Sequence, residues 1–186
     1  MIKRLSKFDV ITNLAYILIG LVLYTKSVGW WIPTTCVLLG IGSGILHYYK
    51  HRWSAYFDWG GMYAVFGGLA GMSWITNPAG TTAIGMLIFL SALTVDIVSQ
   101  SKIRKPNLVI ISAIMLAGII VNFSLASALL VGWLFTIAFV PWAMAGGAYK
   151  TPNEHYELYH GFWHLLTSEA IYATVLILTK NLHHFM

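Results

Sequence analysis

The sequence predicts an all-α integral membrane protein of seven transmembrane helices, with its N-terminus cytoplasmic and its C-terminus outside. Three observations predict it: apolar content, the length of the apolar runs, and the placement of the few basic residues. Of the 186 residues, 58% are apolar and only 9% charged, where an ordinary soluble domain carries about 25% charge. With a mean hydropathy of +0.74, there is no water-facing surface to build for a globule of this size. Residues 1–186 are therefore expected to form one domain whose solvent is lipid.

Crossing a hydrocarbon core of about 30 Å takes roughly 20 helical residues. Seven runs meet this, at residues 8–25, 28–49, 56–75, 79–98, 107–123, 125–148 and 152–179. Barrel strands would instead show about ten residues of apolar and polar alternation. The first run follows a basic start and lacks a small-residue cleavage site, so it reads as a retained helix. The second holds Cys36, which stands alone and excludes a disulfide framework. Gly40 and Gly44 in the second run, and Gly67 and Gly71 in the third, permit close helix approach. The fourth follows Asn77-Pro78 and ends at the basic break from Lys102 to Pro106. Between the fifth and sixth only Asn122 and Ser124 interrupt the apolar sequence; without that turn the count falls to six. Pro141 is placed to kink the sixth. The seventh starts at Thr151-Pro152-Asn153-Glu154, a capping box with proline at the first helical position.

The net charge of +5 is no nucleic-acid footprint, because the basic residues sit in short breaks between apolar runs, where they act as topology signals. On one side are nine, namely Lys3, Arg4, Lys7, Lys50, Arg52, Lys102, Arg104, Lys105 and Lys150; on the other are two, Lys26 and Lys180. The positive-inside rule then sets the orientation. A multi-pass membrane location follows, the plasma membrane if the host is prokaryotic.

Ionisable groups within a bilayer cost a few kcal/mol each, about 2.5–3.5 on the insertion scale, so each is a functional candidate. The spans hold His47, Asp58, Asp96, Glu157, His160, His164 and Glu169. Helical rise places His47 about 29 Å from Val28, near the cytoplasmic face. Asp58 opens the third helix on that face, and His160 and His164 lie in the first turns of the seventh. Three helices thus bring three imidazoles and a carboxylate to one depth. His160 and His164 are four apart and share a helix face, and Ser43 lies one turn before His47. Three His ligands leave a tetrahedral position open, as a catalytic zinc requires. Asp58 can then exchange protons with the water there.

An HxxxH pair alone is weak, and His47 with His51 makes a second one. His51 reads as a headgroup-level residue, His155 is off the shared face, and His183 and His184 belong to the tail. Glu157 is either a partner of His160 or a first-turn acid favoured by the helix dipole. Asp96 is either solvated or paired with Lys102, and Glu169 has no assigned role. Haem or quinone ligation would use the histidines but leave Asp58 and Ser43 unexplained. A retinal protein is disfavoured, since no lysine lies within the seventh run, Lys150 preceding it and Lys180 following it. A receptor or transporter holding structural zinc is the remaining alternative.

The order Ser43-x3-His47, Asp58 eleven residues on, and His160-x3-His164 on the last helix resembles the alkaline ceramidase family. Those enzymes belong to a superfamily of seven-helix zinc hydrolases that includes the adiponectin-type receptors. The resemblance implies that His47, His160 and His164 bind Zn2+, that Asp58 orients and deprotonates the water, and that Ser43 stabilises the water or the oxyanion. It implies hydrolysis of a lipid within the bilayer, releasing a fatty acid from a ceramide or related lipid, or cleaving a phospholipid-type ester. Two features depart from the family. Its acidic calcium site is reduced here to Asp9 and Asn13, so calcium is not expected. The orientation is that of the receptor branch, whereas animal ceramidases place the N-terminus in the lumen.

Overall fold

The computed structural model describes residues 7–26, 28–49, 52–75, 77–100, 102, 104–144 and 155–182, and among them it is all-helical, without strands. The helices are α1 (Lys7–Thr12), α2 (Leu14–Tyr24), α3 (Trp31–Tyr49), α4 (Arg52–Trp74), α5 (Pro78–Val98), α6 (Arg104–Asn122), α7 (Leu125–Met144) and α8 (Tyr156–Leu182). Five stretches are long and apolar enough to cross a membrane: Lys7–Tyr24, in which α2 follows α1 across Asn13, then α5, α6, α7 and Tyr156–Lys180 of α8. This is the pattern of a multi-pass membrane protein.

Helices α3 and α4, at 19 and 23 residues, have the length to span but a lower hydropathy. The reason lies in their position. Helix α4 packs against α3, α5, α6 and α8, and the run from Met62 to Phe66 is buried all round. Its neighbours are protein, so glycine replaces larger apolar residues where backbones meet. A Cβ at Gly71 would fall 2.6 Å from the Thr81 carbonyl oxygen, and one at Gly67 would fall 2.9 Å from that of Gly85. Gly40 is equally tight against Asn13 and Ile17, whereas Gly44 faces nothing within 4 Å. The expected small-residue contacts thus form at Gly40, Gly67 and Gly71, and Gly44 is not one of them.

The turns follow their local chemistry. Asn77 caps α5 by accepting a hydrogen bond from the Gly80 amide at 2.7 Å, with Pro78 at the first position. The break resting on Asn122 and Ser124 is real: the Ser124 hydroxyl accepts from the Ser127 amide at 3.0 Å and caps α7. Helix α7 continues through Pro141. The capping box at 151–154, together with His51, His183 and His184, lies outside the described residues.

Asp96 is fully buried and paired with Arg104, whose Nε lies 3.2 and 3.1 Å from its two carboxylate oxygens. Pairing with Lys102 or exposure to solvent is thereby corrected. The guanidinium also covers the rings of Tyr56 and Trp59 at 5.0 and 5.8 Å. Arginine suits this place because its planar fork bonds a carboxylate while its face stacks on aromatic rings. The pair ties α5 to α6, and the ring contacts tie both to the start of α4, where Asp58 sits.

Candidate metal centre

Helices α3 and α8 bring His47, His160 and His164 together in the interior, each no more than 4% exposed. One ring nitrogen of each lies within 4.8 Å of the others. The four-residue step on α8 stacks His160 and His164 on one face, with ring centroids 4.7 Å apart. The His47 ring meets them at 4.8 and 5.1 Å.

The nitrogen positions fit a shared cation. His47 Nε2 and His160 Nε2 are 3.2 Å apart. Two nitrogens each at 2.0–2.1 Å from one tetrahedral metal would be separated by about 3.3 Å. His164 Nε2 is buried without a hydrogen-bond partner, and a buried imidazole nitrogen left bare is costly unless something binds it. Its other nitrogen, Nδ1, lies 3.2 Å from the Thr12 hydroxyl. These three side chains can hold a metal ion.

Asp58, 7% exposed, and Ser43, 1% exposed, come from α4 and α3. The two side chains interact, as expected from Ser43 lying one turn before His47 where α3 meets the start of α4. Asp58 is not in the group of mutually close ligand atoms, which holds the three histidines alone among the described residues. It instead lines a cavity of about 670 Å³ between α4, α6, α7 and α8. The walls are mostly apolar, including Met62, Met115, Phe135, Phe139 and Trp163. Trp163 also contacts both His160 and His164, each at 5.1 Å between ring centroids. The cavity therefore runs from the carboxylate past the wall of the histidine cluster.

Glu157 and Glu169 are exposed on α8. Glu157 occupies the first turn, where the helix dipole favours it. His155, also exposed, packs its ring near Tyr159.

Two residues at the centre were not expected there. Asp9 is 1% exposed, with Oδ2 3.9 Å from His47 Nδ1, and Thr12 meets His164. A signal for Asp9 exists in the sequence, since an aspartate at the start of an apolar run is as costly there as Asp58. No pattern marks Thr12. Asn13 donates its side-chain amide to the Asp9 carbonyl at 2.6 Å. Trp163 Nε1 and His160 Nδ1 are further buried polar atoms without a hydrogen-bond partner. No protein-family model matches this chain, and no curated protein matches it.

Proposed function

We propose that the chain is a seven-span membrane hydrolase that holds zinc on His47, His160 and His164 and cleaves the acyl bond of a lipid. The observation that supports this most is the buried three-histidine cluster, whose ligand nitrogens lie within 4.8 Å of one another. Zinc is favoured over softer or harder metals because three neutral imidazoles suit it and leave the fourth position for reactants. When bound, it lowers the pKa of a water and polarises the carbonyl under attack.

The chain's own residues supply the rest. Asp58 takes a proton from the attacking water as its oxygen bonds to the acyl carbon, then delivers that proton to the departing nitrogen or oxygen as the old bond breaks. Ser43 donates its hydroxyl to the charge that develops on oxygen. The apolar cavity beside Asp58 receives an acyl chain and excludes water. A ceramide-like amide is the proposed substrate, and a phospholipid-type ester is the competing one.

Metal analysis of purified protein, beside a screen of ceramides and phospholipids for released fatty acid, tests the reading. The expected result is about one zinc per chain and release of fatty acid from one lipid class. Stoichiometric zinc without turnover of any lipid would point instead to a receptor-like protein. A red absorbing band would point to haem.

In the proposed topology, α1 and α2 count as one span and α3 and α4 both cross, so the ends lie on opposite sides. The nine-to-two division of lysine and arginine puts the N-terminus in the cytoplasm. Reporter fusions at the two termini are expected to read inside at the first and outside at the last. Both fusions reading inside would remove the count of seven, and an outside N-terminus with an inside C-terminus would remove the orientation alone.

A further inference from the structure

The first helix comes unusually close to both histidine-bearing helices. Helix α1 packs on α3 and on α8; glycine makes room for it on α8 and, on α3, for Asn13 just past its end. At Gly40 of α3, a Cβ would stand 2.8 Å from the Asn13 carbonyl oxygen. At Gly161 of α8, next to His160, a Cβ would collide with the Phe8 ring. Phe8 also meets Phe162 edge-on at 6.3 Å. This close packing brings the polar side of a six-residue helix against the backs of two imidazoles.

The hydrogen-bond inventory there determines which ring nitrogens carry protons. Thr12 has one hydroxyl hydrogen, and it is directed at the carbonyls of Phe8 and Asp9, both at 3.1 Å. Toward His164 Nδ1 at 3.2 Å, the Thr12 oxygen therefore accepts. Nδ1 then holds the proton, and the lone pair of His164 falls on Nε2, the nitrogen without a partner. Asp9 works on His47 in the same direction. Its carboxylate, when ionised, can only accept, and it lies 3.9 Å from His47 Nδ1, which favours the proton there and turns the lone pair of Nε2 toward His160 Nε2.

Charge gives Asp9 a second task. Three neutral imidazoles around a divalent cation leave two positive charges in a buried site, where an uncompensated charge is expensive. When ionised, Asp9 and Asp58, both buried, would supply the two negative charges that offset it.

On this basis, and resting on the zinc reading above, we infer that Asp9 and Thr12 are positioning residues of the metal centre, holding His47 and His164 in their metal-binding tautomers. The first helix is then part of the site rather than only a membrane anchor. Partners of this kind typically change metal affinity by about 10–100-fold.

The test is zinc affinity, measured by competition with a chelating dye on the full-length protein in detergent. Asp9→Asn and Thr12→Val are each expected to bind zinc about 10–100-fold more weakly. Thr12→Ser keeps the oxygen and is expected to stay close to wild type. Should Asp9→Asn fail to fold, Asp9→Ser asks the same of His47, and the Thr12→Val and Thr12→Ser pair asks it of His164 with a smaller change. If both Asp9→Asn and Thr12→Val bound zinc as tightly as wild type while His160→Ala lost it, the inference would be overturned and the metal site would stand. If wild type bound zinc no better than His160→Ala, the zinc reading would fall and take this inference with it.

Discussion

Replacing Asp58 by asparagine is expected to slow lipid hydrolysis by about 10²–10⁴-fold, the usual worth of a positioned acid or base, while zinc stays in place. Asparagine keeps the size of the side chain and can still accept from Ser43, with which Asp58 interacts. What it loses is the ability to take a proton and return it. Zinc should remain because Asp58 is not among the mutually close ligand atoms. Its negative charge contributes to balancing the cation, so a modest loss of affinity is compatible with the role. Ser43→Ala is expected to cost less, about 10–10³-fold, since one hydroxyl is part of the electrostatic stabilisation of the oxyanion. Rates across pH, with metal content measured on each variant, separate lost chemistry from lost zinc. Wild-type turnover by zinc-loaded Asp58→Asn would refute the proton-transfer role and favour structural zinc in a receptor-like protein.

The His160→Ala and His164→Ala double variant is expected to lose nearly all of its zinc, and activity with it. Two of the three imidazoles disappear, and a single remaining histidine cannot hold a divalent ion in a buried site against its water shell. The fold should persist. His164 is itself among the large fully buried side chains, but the others, including Tyr63, Phe66, Leu69, Ile171 and Leu178, are unaltered. Elemental analysis gives the metal content, and helical circular dichroism reports whether the bundle is intact. Full zinc retention in a folded double variant would show that the ion binds elsewhere.

Much of the architecture was legible because lipid imposes one strong rule: every backbone polar group must be satisfied within its own helix. Apolar run length alone therefore located the described helical segments to within a few residues, except that the run at 8–25 forms two helices, α1 and α2, parted at Asn13. The helix after Lys50-His51-Arg52 begins at Arg52 rather than at 56, and the sixth helix of the structure begins at Arg104 rather than at 107. Both shifts extend a helix into polar residues. A scan for apolar runs stops at the first charge, but Arg104 is stabilised inside the fold by Asp96. Hydropathy is lower in α3 and α4, because glycines that pack against protein count for little on a lipid-transfer scale.

The site divides along the same line. By itself the sequence determined that the chain is a helical membrane protein, and that His47, His160 and His164 are costly residues with a reason to be near one another. Helical periodicity pairs His160 with His164, and places Ser43 one turn before His47, because these relations are local. Which partner takes Asp96, that Glu157 is exposed, and that Asp9 and Thr12 stand behind two of the histidines were decided only by the tertiary structure. Those relations depend on how close two backbones come. Gly40 and Gly161 set that distance through side chains they lack, and the contacts they permit join residues as far apart in the chain as Thr12 and His164.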